Sequence, residues 1–183
     1  MRSARHLDDV PAGAPLLAED LTEFHAARLL LLIRECGVSG HIEGLTKLAK
    51  LDFFVRYPSF FEKACMDQGK PFSPVGEAVE SPMVRYHYGP WDHRYYQVLA
   101  FLEARSLITI SKLGNSFDFM LTPDGAEAVA SLSNRSEYAQ LIAQMKQVKR
   151  AFGTWKGTSL KNLIYKVFDK EIVERRLGEV IGP

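Results

Sequence analysis

Between Val84 and Leu102 the chain gathers six aromatic residues, from Tyr86 to Phe101, around a break at Gly89-Pro90. No other stretch limits the fold so tightly. Arg85-Tyr86-His87-Tyr88 alternates like an extended segment. Pro90 ahead of Trp91 suits the first turn of a helix. From Trp91 onward, Tyr95, Val98, Leu99 and Leu102 recur at helical spacing as far as about Arg105. Leu107-Ile108-Thr109-Ile110 then has the β-branched character of a strand. A helix that runs straight into a short hairpin is the core of a winged helix-turn-helix unit. The expected class is therefore mainly α with a short β-hairpin, carrying further C-terminal helices.

The flanking sequence fits this frame. Residues 1–20 hold Pro11, Gly13 and Pro15 among charges and alanines and are expected to form a flexible arm. Thr22 is placed to cap a helix ending at Gly37, apolar on most faces and so central to the core. A second helix is expected from Leu45 to Tyr57, with Leu45, Leu48, Leu51 and Val55 as its buried stripe and Lys47, Lys50 and Asp52 facing outward. Pro58 ends or restarts it, and Phe60 to Met66 continues as helix. Residues 69–82, rich in Gly and Pro, form a loop longer than the usual turn before a third helix. Beyond the central helix, Leu107–Ser111 and Phe117–Leu121 make a hairpin whose turn, Leu113 to Ser116, holds Gly114 and Asn115, both able to take positive φ. Thr122 caps the helix that begins Pro123-Asp124. Asn134–Phe152 and a segment capped by Ser159 are further helices. These readings divide the chain into the arm (1–20), a winged-helix domain (21–133) and a basic C-terminal helical extension (134–183).

Charge is unevenly placed. Residues 1–133 carry 13 Lys and Arg against 17 Asp and Glu, and residues 134–183 carry 10 against 5. A weak, sequence-independent nucleic-acid contact is therefore expected through Lys146, Lys149, Arg150 and Lys156, since phosphate binding follows clustered cations. Two cysteines without framework spacing, a start with no signal-peptide run and no apolar run able to span a bilayer make a cytoplasmic protein, off the membrane, the expectation.

Little points to catalysis. His41, His87, His93, Cys36, Cys65 and Asp92 are the candidate metal ligands, and they lack the close His or Cys pairs of zinc sites. No phosphate loop, dinucleotide fingerprint, zinc-protease or nucleophile-elbow motif occurs. Asp52 and Glu62 read as surface charges on helices. The expectation is a protein without catalytic residues, metal or cofactor. The central helix is also poorly equipped to read DNA. Its start offers Trp91, Asp92, His93, Arg94 and Tyr95 rather than base-reading side chains, and Asp92 would face phosphates unfavourably. So dense an aromatic run is hard to bury all round. Tyr86, Tyr88, Trp91, Arg94, Tyr95, Tyr96 and, on the second helix, Phe60 are therefore candidate partner contacts, of types that anchor protein interfaces. For Tyr88 a place in the core competes with that role.

Lys47 to Pro58 (KLAKLDFFVRYP), Arg85 to Asp92 (RYHYGPWD) and the hairpin from Leu107 to Leu121 together resemble the small middle component of bacterial ABC-three-component systems. The Lamassu-type anti-phage systems are one branch of these. The resemblance runs from about Phe24 to Leu132. It implies a non-enzymatic winged-helix subunit in a defence complex directed at phages or plasmids. Its partners would be an SMC-like ABC ATPase and an effector, often a nuclease, with DNA engaged through the complex. The alternative expectation is a winged-helix DNA-binding transcriptional regulator.

Overall fold

A computed structural model describes residues 21–74, 83–87, 89–168 and 176–181. The expected arm and Tyr88 lie outside them. α1 (Thr22–Cys36) and α2 (Leu45–Arg56) form the centre, joined by the short strand β1 (His41–Glu43). α1 is buried along nearly its whole length, as its apolar sequence requires. Thr22 is its first residue, and Leu21 occupies the cap position.

α3 (Pro58–Asp67) restarts at Pro58, where a missing N–H costs nothing. Phe60 is 2 % exposed, with its ring 5.3 Å from that of Phe53 and 4.8 Å from that of Phe168. Phe54 stacks on Phe152 at 5.1 Å. This aromatic core joins α2 and α3 to the C-terminal helices α6 (Ala139–Phe152) and α7 (Gly157–Val167). Residues 142–168 contribute to the same hydrophobic cluster as residues 26–129. Fully burying one such side chain stabilises by about 1.5–3 kcal/mol.

β2 (Val84–Tyr86) and β3 (Gly89–Trp91) form an antiparallel pair, with Val84 opposite Trp91. Trp91 is therefore in a strand, and the central helix α4 begins only at Tyr95 (Tyr95–Ala104). Gly89, the first residue of β3, takes φ +93°. The far edge of β2 is covered by the C-terminal segment: the Arg85 N–H donates to the Glu179 carbonyl at 2.8 Å and the Ile181 N–H to the Met83 carbonyl at 2.8 Å. The Tyr57 hydroxyl fastens both chains, accepting from the Met83 N–H (2.6 Å) and donating to the Ile181 carbonyl (3.2 Å).

The hairpin of β4 (Ile108–Leu113) and β5 (Ser116–Leu121) adds to β1 in a three-stranded antiparallel sheet ordered β1-β5-β4. Gly114 takes the positive φ of the turn, but Asn115 does not. The Thr122 hydroxyl accepts from the Gly125 N–H at 3.0 Å and caps α5 (Pro123–Ser133), as its sequence predicts. Asn134 closes α5, and a short 3-10 turn at Ser136–Tyr138 precedes α6. α7 begins at Gly157, two residues before Ser159. Among the described residues no helix is long and apolar enough to cross a membrane.

Candidate functional site: a buried ion ring beneath an aromatic face

α2 departs most from its expected pattern. Lys50 is 1 % exposed and Asp52 0 %, so neither faces solvent. Helices α1, α6 and α7 and strand β3 pack around α2, and its polar side chains must find partners inside. Arg28 on α1 donates through Nε to Asp52 Oδ1 at 3.0 Å. The Tyr95 hydroxyl donates to Asp52 Oδ2 at 2.7 Å, and Arg56 Nη1 lies 3.6 Å from the same oxygen. Arg56 Nη1 also donates to Asp92 Oδ2 at 2.8 Å. Asp92 in turn accepts from Arg94 through Nε (2.9 Å), Nη2 (2.8 Å) and the backbone N–H (3.0 Å). His25 stands between Arg28 and Arg94, its ring nitrogens each 2.8 Å from a guanidinium nitrogen, and as a neutral imidazole it accepts from one of the two.

The ring His25–Arg28–Asp52–Arg56–Asp92–Arg94 therefore ties α1, α2 and the start of α4 together. Burial by itself would raise the Asp92 carboxyl. The hydrogen bonds from Arg94 and the charge of Arg56 outweigh it and hold the group well below the usual carboxylate range. Burial, and then the negative charge of Asp52, push the Tyr95 phenol well above its ordinary value. Asp92 is interior and offers no charge to an approaching phosphate, so the expected repulsion does not arise from it. It fixes the entry to α4 instead, by accepting from the Arg94 N–H.

Lys50 lies apart from the ring. Its ammonium nitrogen donates to the Pro90 carbonyl at 2.8 Å and holds β3 against α2. Burial, followed by the positive charge of Lys161, brings its pKa down to about 7.

Above the ring the aromatics sort into two sets. Tyr95 is 1 % exposed and Phe60 is in the core, so both are corrected from candidate partner contacts to interior residues. Tyr96 is 65 % exposed and Tyr86 45 %. Trp91, half-buried, links them: its ring stacks on Tyr86 at 5.8 Å and lies 5.8 Å from Tyr96. Arg94 is partly exposed at the border of this face, with its guanidinium turned into the ring. A half-buried Trp flanked by two exposed tyrosines can take an apolar or proline-rich protein segment.

The basic residues are elsewhere. Lys146 and Arg150 are exposed on α6, and Lys156 is exposed just before α7. Lys149 is partly buried and donates to the carbonyls of Cys36 (3.3 Å) and Gly37 at the end of α1. Among the described residues no group of three or more His, Cys, Asp or Glu is placed to hold a metal ion. His41 hydrogen-bonds Asp118 at 2.8 Å across β1 and β5, and Cys36 donates to the Met145 carbonyl at 3.3 Å. Glu62 is half-buried on α3.

Comparison with known proteins adds nothing further: no family model matches the chain, and neither a curated protein nor a solved structure does.

Proposed function

We propose that this chain is a non-enzymatic winged-helix subunit that bridges or regulates an SMC-like ABC ATPase and its effector in a bacterial anti-phage or anti-plasmid complex. The element order supports the winged-helix part. α1, β1, α2, α4, β4 and β5 follow one another with β5 central in the sheet, and α3 with the β2–β3 hairpin lies between α2 and α4. In that arrangement α4 occupies the place of a recognition helix and β4–β5 that of the wing.

One observation carries the choice of a protein partner over DNA. The solvent face of α4 presents Tyr96, Gln97, Ala100 and Glu103 without a cation before Arg105, beside the Tyr86–Trp91 stack. The wing is equally unsuited to phosphate, exposing Leu113, Phe117 and Met120 with Lys112 as its single cation. A face of this kind suits an aromatic-anchored protein interface. The assignment to an ATPase complex draws on the resemblance of the segments Lys47–Pro58 and Arg85–Asp92.

The test is co-expression of the full chain with a long coiled-coil ATPase and an effector encoded beside it. Co-elution of the three on size-exclusion chromatography at physiological salt is the expected result. An ATPase that elutes without this chain, together with nanomolar, sequence-selective duplex binding by the chain alone, contradicts the proposal and favours a transcriptional regulator.

A further inference from the structure

A groove of about 580 Å³ opens on the side of α6, lined by Glu35 of α1, Ser73, and Ala143, Lys146, Gln147, Lys149 and Arg150 of α6. Its walls are held in place by hydrogen bonds within the fold. Gln147 accepts from the Ser73 N–H at 2.7 Å and donates to the Ser73 carbonyl at 3.0 Å, which fastens the chain after α3 to α6. Lys149 is committed to the carbonyls that end α1, where its charge also meets the negative end of the helix dipole.

Lys146 and Arg150 differ from it. Both are exposed, and neither makes a hydrogen bond or ion pair with another described residue. Their i, i+4 spacing puts them on one face of α6, about 6 Å apart along its axis. That separation is of the order of the distance between consecutive phosphates on a nucleic-acid strand. Glu35 is the single carboxylate of the groove.

We propose that the α6 groove is a phosphodiester site in which Lys146 and Arg150 take adjacent phosphates of duplex DNA, beside the Gln147–Ser73 clasp. Recognition is of backbone alone, because Gln147 and Lys149 are already bonded within the fold and the two remaining cations meet phosphates. The site is distant in role from the aromatic face, and it does not rest on the ATPase-subunit reading.

The test is fluorescence anisotropy of the full chain with a short labelled duplex, titrated between about 50 and 200 mM salt. The double variant Lys146→Gln/Arg150→Gln is expected to bind roughly tenfold or more weakly, with the slope of log K against log salt flattened by about 1.8, or 0.9 for each phosphate lost. Lys146→Arg/Arg150→Lys keeps the wild-type slope, and Glu35→Gln binds more tightly. Unlabelled duplex displaces the probe, while inorganic phosphate at equal phosphate concentration and a poly-glutamate peptide do not. A double variant with wild-type affinity and slope overturns the proposal. So does displacement by poly-glutamate at equal charge, which makes the groove an acidic-peptide site. So does equal displacement by inorganic phosphate, which makes it a site for the free anion. Co-elution of the double variant with the ATPase separates failure here from failure of the proposed function.

Discussion

The ring around Asp52 and Asp92 and the row along α6 each gather three cations, yet only the ring supplies each of them with a carboxylate. Arg28 and Arg56 lie inside the molecule, Arg94 lies at its border, and each is within hydrogen-bonding distance of an acid. Lys146 and Arg150 lie outside and meet none among the described residues. The two regions hold the same number of cations and have opposite consequences. Charge that is paired in the interior fixes how α1, α2 and α4 meet. Charge left open on the surface is available to a ligand. The number of cations distinguishes neither region from the other; pairing and burial do.

The largest expected effect comes from breaking the ring. Asp92→Ala leaves Arg56 and Arg94 without their shared carboxylate and should destabilise the chain by about 3–5 kcal/mol. Thermal unfolding should then show a melting temperature lower by roughly 10 °C. Arg56→Met/Asp92→Leu, which removes both charges of one pair, should cost less than Asp92→Ala alone, because fully buried Arg56 is then not stranded and only the partly exposed Arg94 loses its carboxylate. A double variant worse than the single would make the ring a source of stability in itself.

The next effect is pH-dependent and belongs to Lys50. Its folded pKa of about 7 lies below the ordinary 10.5, so between these values the unfolded chain binds a proton that the folded chain does not. Folding stability must therefore rise with pH across that window. From pH 7 to 9, below the range in which the tyrosines ionise, the rise is about 2–3 kcal/mol at about 1.36 kcal/mol per unit. Chemical denaturation of wild type and Lys50→Met at the two pH values should show the larger rise in wild type, by about that amount. An equal rise in both assigns it to other groups.

The smallest effect is on α6. Lys146→Gln and Arg150→Gln should each change stability by less than about 0.5 kcal/mol, as exposed charges without partners do. A larger loss in either would place that side chain in a contact of the fold and remove the contrast with the ring.

What could be read from the sequence follows the same division. The β4–β5 hairpin, the Thr122 cap and the buried α1 were legible, because local turn chemistry, capping and apolar periodicity decide them. The open cations of α6 were legible too, as a charge excess on one segment. The ring was not. Lys50 and Asp52 sit between apolar residues in a pattern that ordinarily marks a solvated face, and only the packing of distant helices over α2 encloses them. The start of α4 was misread for a related reason. Pro90 at a helix N1 position is a sound local inference, but pairing of β3 with β2 draws Gly89–Trp91 into a strand and delays the helix to Tyr95. Tyr95, unlike its neighbour Tyr96, shares the helical stripe of Val98, Leu99 and Leu102, which is the buried one, but periodicity says nothing of its hydroxyl reaching Asp52 on another helix.

That last pair provides the most direct test of a protein interface on α4. Tyr96→Ala and Tyr95→Ala are made singly, and each full chain is measured by thermal unfolding and by co-purification with the ATPase. Tyr96 is exposed, so its truncation should leave the melting temperature nearly unchanged while weakening the complex by about 2 kcal/mol, roughly thirtyfold. Tyr95 is buried on Asp52, so its truncation should lower the melting temperature by several degrees or more. Tyr96→Ala that co-purifies at wild-type yield and affinity would contradict the account.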